Sequence, residues 1–346
     1  MKNNKTQQDK QNIICSMENE KYLGVFTKNK SRKIYLYCFA ICLFSKYQKK
    51  DISKIFVVNG RAEKKYENQE GYITLYYGII SKHLLDYLTI NTNVTTIKRR
   101  KRFLLFLKAF KLADKNIPLG YAIDYLLWKE LIFNNNVQEI KSCGHYDRLT
   151  TQIALLLKDA KKKYTMRQHG LLPQKIELPN KIPAQCVLTF DQYEREKFQR
   201  NVILNKDCKY IIHYESSVKF KDTPKTKTRI GIIDVPIKEM RMIIDIVYKY
   251  FSDSEIVLMM HPLNKDQYPP RNNLIIENCD KEWNLDYIFS GPSTLVYDYA
   301  RCGYSGKIIA LDNLNCLSNI EKCYKNIFIC RTIDEFEKKA LELKRD

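Results

Sequence analysis

RIGIIDVPIKEMRMIIDIVYKYFSDSEIVLMMHP, residues 229–262, decides the fold. RIGII at 229–233 and EIVLMM at 255–260 are short, nearly continuous apolar runs, the pattern of strands covered on both faces of a parallel sheet. Between them PIKEMRMIIDIVYKYF at 236–251 repeats its apolar residues at helical spacing. Strand, helix, strand is the grammar of a doubly wound α/β domain. It continues downstream through LIIE at 274–277, DYIFS at 286–290, a helix after Ser293, KIIAL at 307–311, NIFIC at 326–330 and a last helix over 333–344.

Upstream the same alternation is looser. IFVV at 55–58 and YITLYY at 72–77 read as strands, followed by helical patterns near 82–90, 101–113 and 121–133. VQEIKSCG at 137–144, a helix over 149–163, YTMRQHG at 164–170, CVLTF at 186–190 and a helix over 191–203 complete a first domain. ESSVKFKDTPKTKT at 215–228, with one proline and no long apolar run, reads as the linker. The expected organisation is a disordered polar tail over 1–13, an α/β domain over 14–214, the linker, and a second α/β domain over 229–346. Ile34 to Phe44 is the best apolar run; at eleven residues it is too short to span a bilayer and reads as a buried helix, with a membrane-facing helix of the basic half as the alternative.

The composition suits a folded protein: 346 residues, 45% hydrophobic and 28% charged, against disorder and against a multi-span membrane protein. Lysine and arginine number 59 against 39 acidic residues, a net charge of +20. Residues 1–180 hold 33 basic and 15 acidic side chains, net +18, whereas 181–346 hold 26 and 24, net +2. The charge calls for a polyanionic partner, yet no nucleic-acid-binding motif accompanies it, so no specific nucleic acid is expected. Eleven cysteines, an odd number with no secretory signal before them, read as reduced cytosolic thiols. Cys316, Cys323 and Cys330 are spaced by seven but lack CxxC pairs, so no zinc site is expected.

Ligands of such sheets bind in loops at the carboxyl ends of the strands, and three of these loops carry unusual residues. His261 and Pro262 leave a buried strand, where a ring N–H can meet a phosphate oxygen. SerGlyProSerThr at 290–294 opens a helix: Gly291 turns the chain, while Ser293, Thr294 and the free first-turn amides form a phosphate cradle, or an ordinary N-cap. One turn on, Asp298 is within reach of a ribose hydroxyl. The third is ArgGlnHisGly at 167–170, with GlyHisTyrAspArg at 144–148 before it, offering His169, His145 and Asp147 as proton acceptors. There is no Asp-x-Asp triplet for a divalent ion, so no metal and no cofactor is expected; Lys265 or Arg301 would assist His261 in neutralising the phosphate. Gly-x-Gly-x-x-Gly, GK[ST] and Gly-x-Ser-x-Gly are also absent.

At these residues the chain resembles the GT-B glycosyltransferases that build bacterial surface polymers. His261-Pro262 followed by Ser293-Thr294 is similar to the HP and Ser/Thr motifs of bacterial sialyltransferases and polysialyltransferases. His169-Gly170 with His261-Pro262 resembles the HisGly and HisPro motifs of teichoic-acid glycerophosphotransferases. The resemblance implies two Rossmann-like domains facing a central cleft, the first binding acceptor and the second the nucleotide donor. It implies His261, Ser293 and Thr294 on the donor phosphate and His169 as catalytic base. The acidic tripeptide of the sialyltransferases has no counterpart, and Asp147 stands in for it by position alone. The expected activity is metal-independent, inverting transfer of a sugar from a nucleotide-sugar donor, CMP-sialic acid among the candidates, to a capsule or lipooligosaccharide glycan or a lipid-linked acceptor. A CDP-glycerol-type glycerophosphotransferase, a nucleotide-sugar epimerase and a basic nucleic-acid-binding protein are the alternatives.

Lys98-Arg99-Arg100-Lys101-Arg102 precedes FLLFLKAF at 103–110. Together they read as a surface-lying amphipathic element that holds a cytoplasmic protein on an anionic membrane surface, or as a solvated helix start whose apolar face enters the core.

Overall fold

The computed structural model describes residues 2–22, 46–47, 53–58, 71–76, 94–95, 97–143, 148–168, 170–173, 175–213, 227–260, 268, 271–278, 284–301, 303–317 and 320–345. The chain divides into two units, Met1–His169 with Ile176–His213, and Gly170–Lys175 with Tyr214–Asp346. The run Ile34 to Phe44, the helical pattern at 82–90 and residues 215–226 of the expected linker lie outside the described residues.

The N-terminal unit runs α1 (Lys2–Tyr22), β1 (Lys46–Tyr47), β2 (Lys54–Val58), β3 (Ile73–Tyr76), β4 (Val94–Thr95), α2 (Arg99–Leu112), α3 (Leu119–Asn134), β5 (Glu139–Ser142), α4 (Arg148–Asp159), β6 (Lys163–Arg167), β7 (Cys186–Thr189), α5 (Gln192–Lys197) and β8 (Lys209–Ile212). Its main sheet has the order β3-β2-β5-β6-β7-β8, every pair parallel. β1 and β4 form a separate two-residue parallel pair. Asp191 precedes α5 and caps it, its carboxylate accepting the Glu194 N–H at 2.8 Å.

The expected disordered tail is a helix instead. α1 starts at Lys2 and packs on α4 and α3. Its first residues show no apolar period because much of the buried face is polar: Asn12, Ser16 and Asn19 are buried beside Ile13 and Met17. Asn12 Nδ2 donates to Tyr125 Oη and to Asp159 Oδ2, each at 3.1 Å. Asn19 Nδ2 donates to Thr151 Oγ1 at 3.1 Å and to the Asn180 carbonyl at 2.9 Å, while its Oδ1 accepts the Asn180 N–H. Asp9 pairs with Lys129 and accepts the Tyr125 hydroxyl. Satisfied in this way, buried amides cost little, and tertiary partners do what an apolar stripe does elsewhere.

The five cations at 98–102 do not form one exposed cluster. Lys98, Arg99 and Arg100 are exposed, but Arg102 is buried under α2 and Lys101 is held by Glu130 at 3.2 Å. Among the described residues no helix is long and apolar enough to cross a membrane.

The C-terminal unit runs β9 (Arg229–Ile233), α6 (Met240–Phe251), β10 (Glu255–Met260), β11 (Leu274–Asn278), β12 (Tyr287–Ser290), α7 (Thr294–Arg301), β13 (Lys307–Leu311), α8 (Ile320–Cys323), β14 (Ile327–Cys330) and α9 (Ile333–Arg345). The sheet order is β11-β10-β9-β12-β13-β14, again all parallel. Successive residues of β9 feed opposite layers. Ile232 joins Ile243, Val247, Phe289 and Phe336 on the side of α6 and α9. Ile233 joins Met259, Val296, Ile308 and Ile320 on the side of α7 and α8. That double coverage is why RIGII carries no polar alternation.

Candidate functional site

In both sheets the chain starts near the middle, builds one edge, and then returns to build the other. In the C-terminal unit the reversal falls between β9 and β12, because β10 and β11 extend one side and β12, β13 and β14 the other. At such a switch point the loops leaving adjacent strand ends diverge and open a crevice. The registers align Met259, Ile233 and Ser290 across the three strands. The strand leading to His261-Pro262 and the strand leading to Ser293-Thr294 therefore flank β9, with their ends roughly 10 Å apart at two strand spacings. His261 and Pro262 themselves lie outside the described residues.

The β12 turn is built tightly. Ser290 is buried and its hydroxyl donates to the Gly291 carbonyl at 2.7 Å. A Cβ on Gly291 would stand 2.8 Å from Ile237 Cδ1 and 3.3 Å from Val235 Cβ, so glycine is what lets this turn lie against the loop after β9. Ser293 Oγ accepts the Leu295 N–H at 3.2 Å and the Ser293 carbonyl accepts the Val296 N–H. Ser293 thus caps α7, Thr294 is its first residue, half-buried, and Asp298 is buried one turn on. Tyr299, on the same helix, donates to Met259 Sδ at 3.3 Å and ties α7 to the end of β10.

Two acidic residues on this edge escaped the sequence reading. Asp234 is buried at the end of β9, its N–H continues the ladder to the Met259 carbonyl, and its carboxylate accepts the Tyr268 hydroxyl at 2.8 Å. Its one sequence signal is a lone carboxylate closing an apolar strand. Asp312, buried after β13, accepts the Cys316 and Leu317 N–H groups and an Arg331 guanidinium N–H at 2.9 Å. It pins the loop beyond β13 rather than facing the β9 crevice. Burial pushes the nearby Cys330 thiol up to about 11, which fits a neutral core thiol. Among the described residues no three histidine, cysteine or acidic side chains gather as metal ligands.

In the N-terminal unit the reversal falls between β2 and β5. Gly144 to Asp147, with His145, and His169 lie outside the described residues. The end of β6 is nevertheless well fixed. Gln168 is buried, donates its backbone N–H to the Leu188 carbonyl, accepts the Phe190 N–H at 2.9 Å and donates to Glu194 at 2.6 Å. The residue immediately before His169 is thus clamped to β7 and α5. Deeper on the same sheet, burial raises the Glu139 pKa, but hydrogen bonds from Lys163, Tyr72 and Thr165 outweigh it and hold the carboxyl below its ordinary value. Burial, with the Arg167 charge, pulls Lys141 down.

Two all-parallel, doubly wound sheets give the chain an α/β fold of the GT-B type. UDP-GlcNAc 2-epimerase from Neisseria meningitidis, solved bound to UDP-GlcNAc, matches with a TM-score of 0.51 at 10% identity, over 84% of this chain and 91% of that one. The UDP-GlcNAc 2-epimerase of Methanocaldococcus jannaschii gives 0.45 at 10% identity, over 84% and 92%. The wall teichoic acid polymerase TagF gives 0.41 at 12% identity, over 86% and 83%. No protein-family model matches the sequence, and no curated protein matches it. At this identity the likeness is one of fold, and function has to be argued from the site.

Proposed function

We propose that the chain is a transferase that takes a sugar from a nucleotide-sugar donor and places it on a surface glycan or lipid-linked acceptor, without a metal. The observation that carries this reading is the strand order of the C-terminal sheet, which sets the strands leading to His261-Pro262 and to Ser293-Thr294 on either side of β9 at the switch point. The groups proposed to bind a phosphate there are His261, the Ser293 and Thr294 hydroxyls and the N-terminal end of α7, whose dipole favours an anion. Lys265 and Arg301 supply further positive charge. Asp298 and Asp234 are carboxylates for ribose or sugar hydroxyls.

His169, or Asp147 in second place, takes the proton of the acceptor hydroxyl. The acceptor oxygen bonds to the anomeric carbon as that carbon's bond to the donor phosphate oxygen breaks, and the phosphate leaves with the added negative charge. One displacement inverts the carbon. The charge that grows on the leaving phosphate is what His261, the Ser293 and Thr294 hydroxyls and the α7 dipole stabilise. CDP-glycerol is the second donor to test, because His169-Gly170 matches the glycerophosphotransferase pattern. Epimerisation is the third reading, because the Neisseria meningitidis enzyme shares the fold and binds UDP-GlcNAc.

The experiment is product analysis with a panel of nucleotide donors, with and without glycan acceptor. Transfer should require acceptor, survive EDTA, and fall about 30- to 1000-fold in His261→Ala, in line with the loss of one oxyanion donor at about 2–4 kcal/mol. An epimerised sugar from donor alone, transfer abolished by EDTA and restored by magnesium, or a His261→Ala enzyme at the wild-type rate would each overturn the corresponding part.

A further inference from the structure

Helix α2 is apolar on two opposite faces. Leu105, Phe106, Ala109 and Leu112, with Arg102, form the buried one. Phe103, Leu104, Leu107 and Phe110 are 44% to 57% exposed. At roughly 100° per residue these four fall in one sector of about 120°, on the side opposite the buried set. Exposed Arg100 and Lys111 fall inside the same sector, and exposed Arg99 and Lys108 border it. The fourteen residues of α2 carry six cations and no carboxylate. Four large apolar side chains on one exposed helical face exceed the isolated exposures that every protein surface shows.

The charges select the occupant. A second copy of this chain would bring the same arginines and lysines against one another, because a two-fold contact repeats one patch on both sides. An acidic protein would satisfy the cations but leaves the mixed apolar and basic composition of a single helical stripe unaccounted for. A bilayer with anionic headgroups offers phosphates and, a few ångströms below them, hydrocarbon, in the layered order that this stripe presents. At 1.5 Å per residue, α2 is about 21 Å long, enough to lie on a membrane and too short to cross it.

We propose that α2 docks on an anionic bilayer, with Phe103, Leu104, Leu107 and Phe110 at the acyl boundary and Arg99, Arg100, Lys108 and Lys111 among the headgroup phosphates. Lys101 and Arg102, turned to Glu130 and to the interior, take no part. The assignment is independent of the reaction proposed above, since it is read from a surface and tested without substrate.

The test is sedimentation of the full chain with phosphatidylcholine vesicles made with and without phosphatidylglycerol, at low and high salt. The wild type should bind only vesicles containing phosphatidylglycerol and release as salt screens the headgroups. Arg100→Glu with Lys111→Glu, and separately Phe103→Ser with Leu107→Ser, should each weaken binding by at least about tenfold, since each basic side chain near such a surface contributes roughly fivefold. Lys206→Glu with Lys238→Glu, the same change of charge on exposed residues elsewhere, should bind at least several times more tightly than Arg100→Glu with Lys111→Glu. Thermal melting confirms that each pair folds, and the charge pair decides if the apolar pair does not. Failure to bind, equal binding to neutral vesicles, binding that both α2 pairs leave unchanged, or a wild-type dimer that Phe103→Ser with Leu107→Ser splits would overturn the proposal.

Discussion

Both units are built on a six-stranded, all-parallel, doubly wound sheet, with one strand beyond the reversal in the N-terminal unit and two in the C-terminal unit, and they differ in how the covering helices are fastened. In the C-terminal unit the sheet is sealed by aliphatic and aromatic side chains, with Phe289 set 5.5 Å from Phe251 and 5.8 Å from Phe336 between ring centroids. In the N-terminal unit a whole helix, α1, is fastened by amides, a hydroxyl and carboxylates: Asn12 to Tyr125 and Asp159, Ser16 to Gln152, Asn19 to Thr151 and Asn180, Asp9 to Lys129. The first kind of packing is non-directional and tolerates repacking at similar volume. The second is directional, because each buried donor and acceptor must keep its partner or lose the full cost of leaving water. Two parallel, doubly wound sheets therefore carry two kinds of sensitivity to mutation.

The largest effect expected is in the apolar unit. Phe289→Ala should destabilise it by about 3–5 kcal/mol through lost burial and the cavity left behind, measured by urea unfolding with hydrogen exchange in β12 as the local readout. A cost below about 1 kcal/mol would mean that this layer is not tightly packed and would dissolve the contrast. Next comes Asn19→Leu, which keeps the volume and removes the polarity. It strands the Thr151 hydroxyl and the Asn180 N–H, and the expected cost is about 1–3 kcal/mol. Buried Trp128 in α3 provides a fluorescence signal for that unit. If Leu at this site stabilises the protein, the polar fastening is replaceable and the directional argument fails.

The smallest effect concerns acid. The Glu139 carboxyl is held below its ordinary value of 4.5 in the fold, so the unfolded chain binds its proton more readily. Its contribution to stability is present above the unfolded value and disappears as pH falls through the folded one. Wild-type stability should accordingly decline in that acid window, and Glu139→Gln should flatten the decline. An identical acid profile in the variant would remove Glu139 from the account.

How far the sequence could be read follows the same divide. β9, α6 and β10 were legible because period-3.6 and uninterrupted apolar runs are local signals. α1 was not legible: MKNNKTQQDKQNI has no apolar stripe, and nothing local says that Asn12 will meet Tyr125 more than a hundred residues away. The faces of α2 were half legible. Its basic start and apolar body are plain in RRKRFLLFLKAF, but only packing showed that Arg102 turns inward while Phe103, Leu107 and Phe110 turn out.

What the sequence by itself determined is the alternation of elements and the chemistry of their ends: a strand before His261, a glycine turn and a capping serine before α7, and a basic N-terminal half. Those rest on interactions among residues a few positions apart, which every local window contains. Strand order and polar partnership rest on contacts between distant segments, which only the folded chain brings together. The tertiary structure alone decided that β10 and β12 flank β9, that buried Asp234 stands between them with Tyr268 on its carboxylate, and that Gly291 is pressed against Val235 and Ile237.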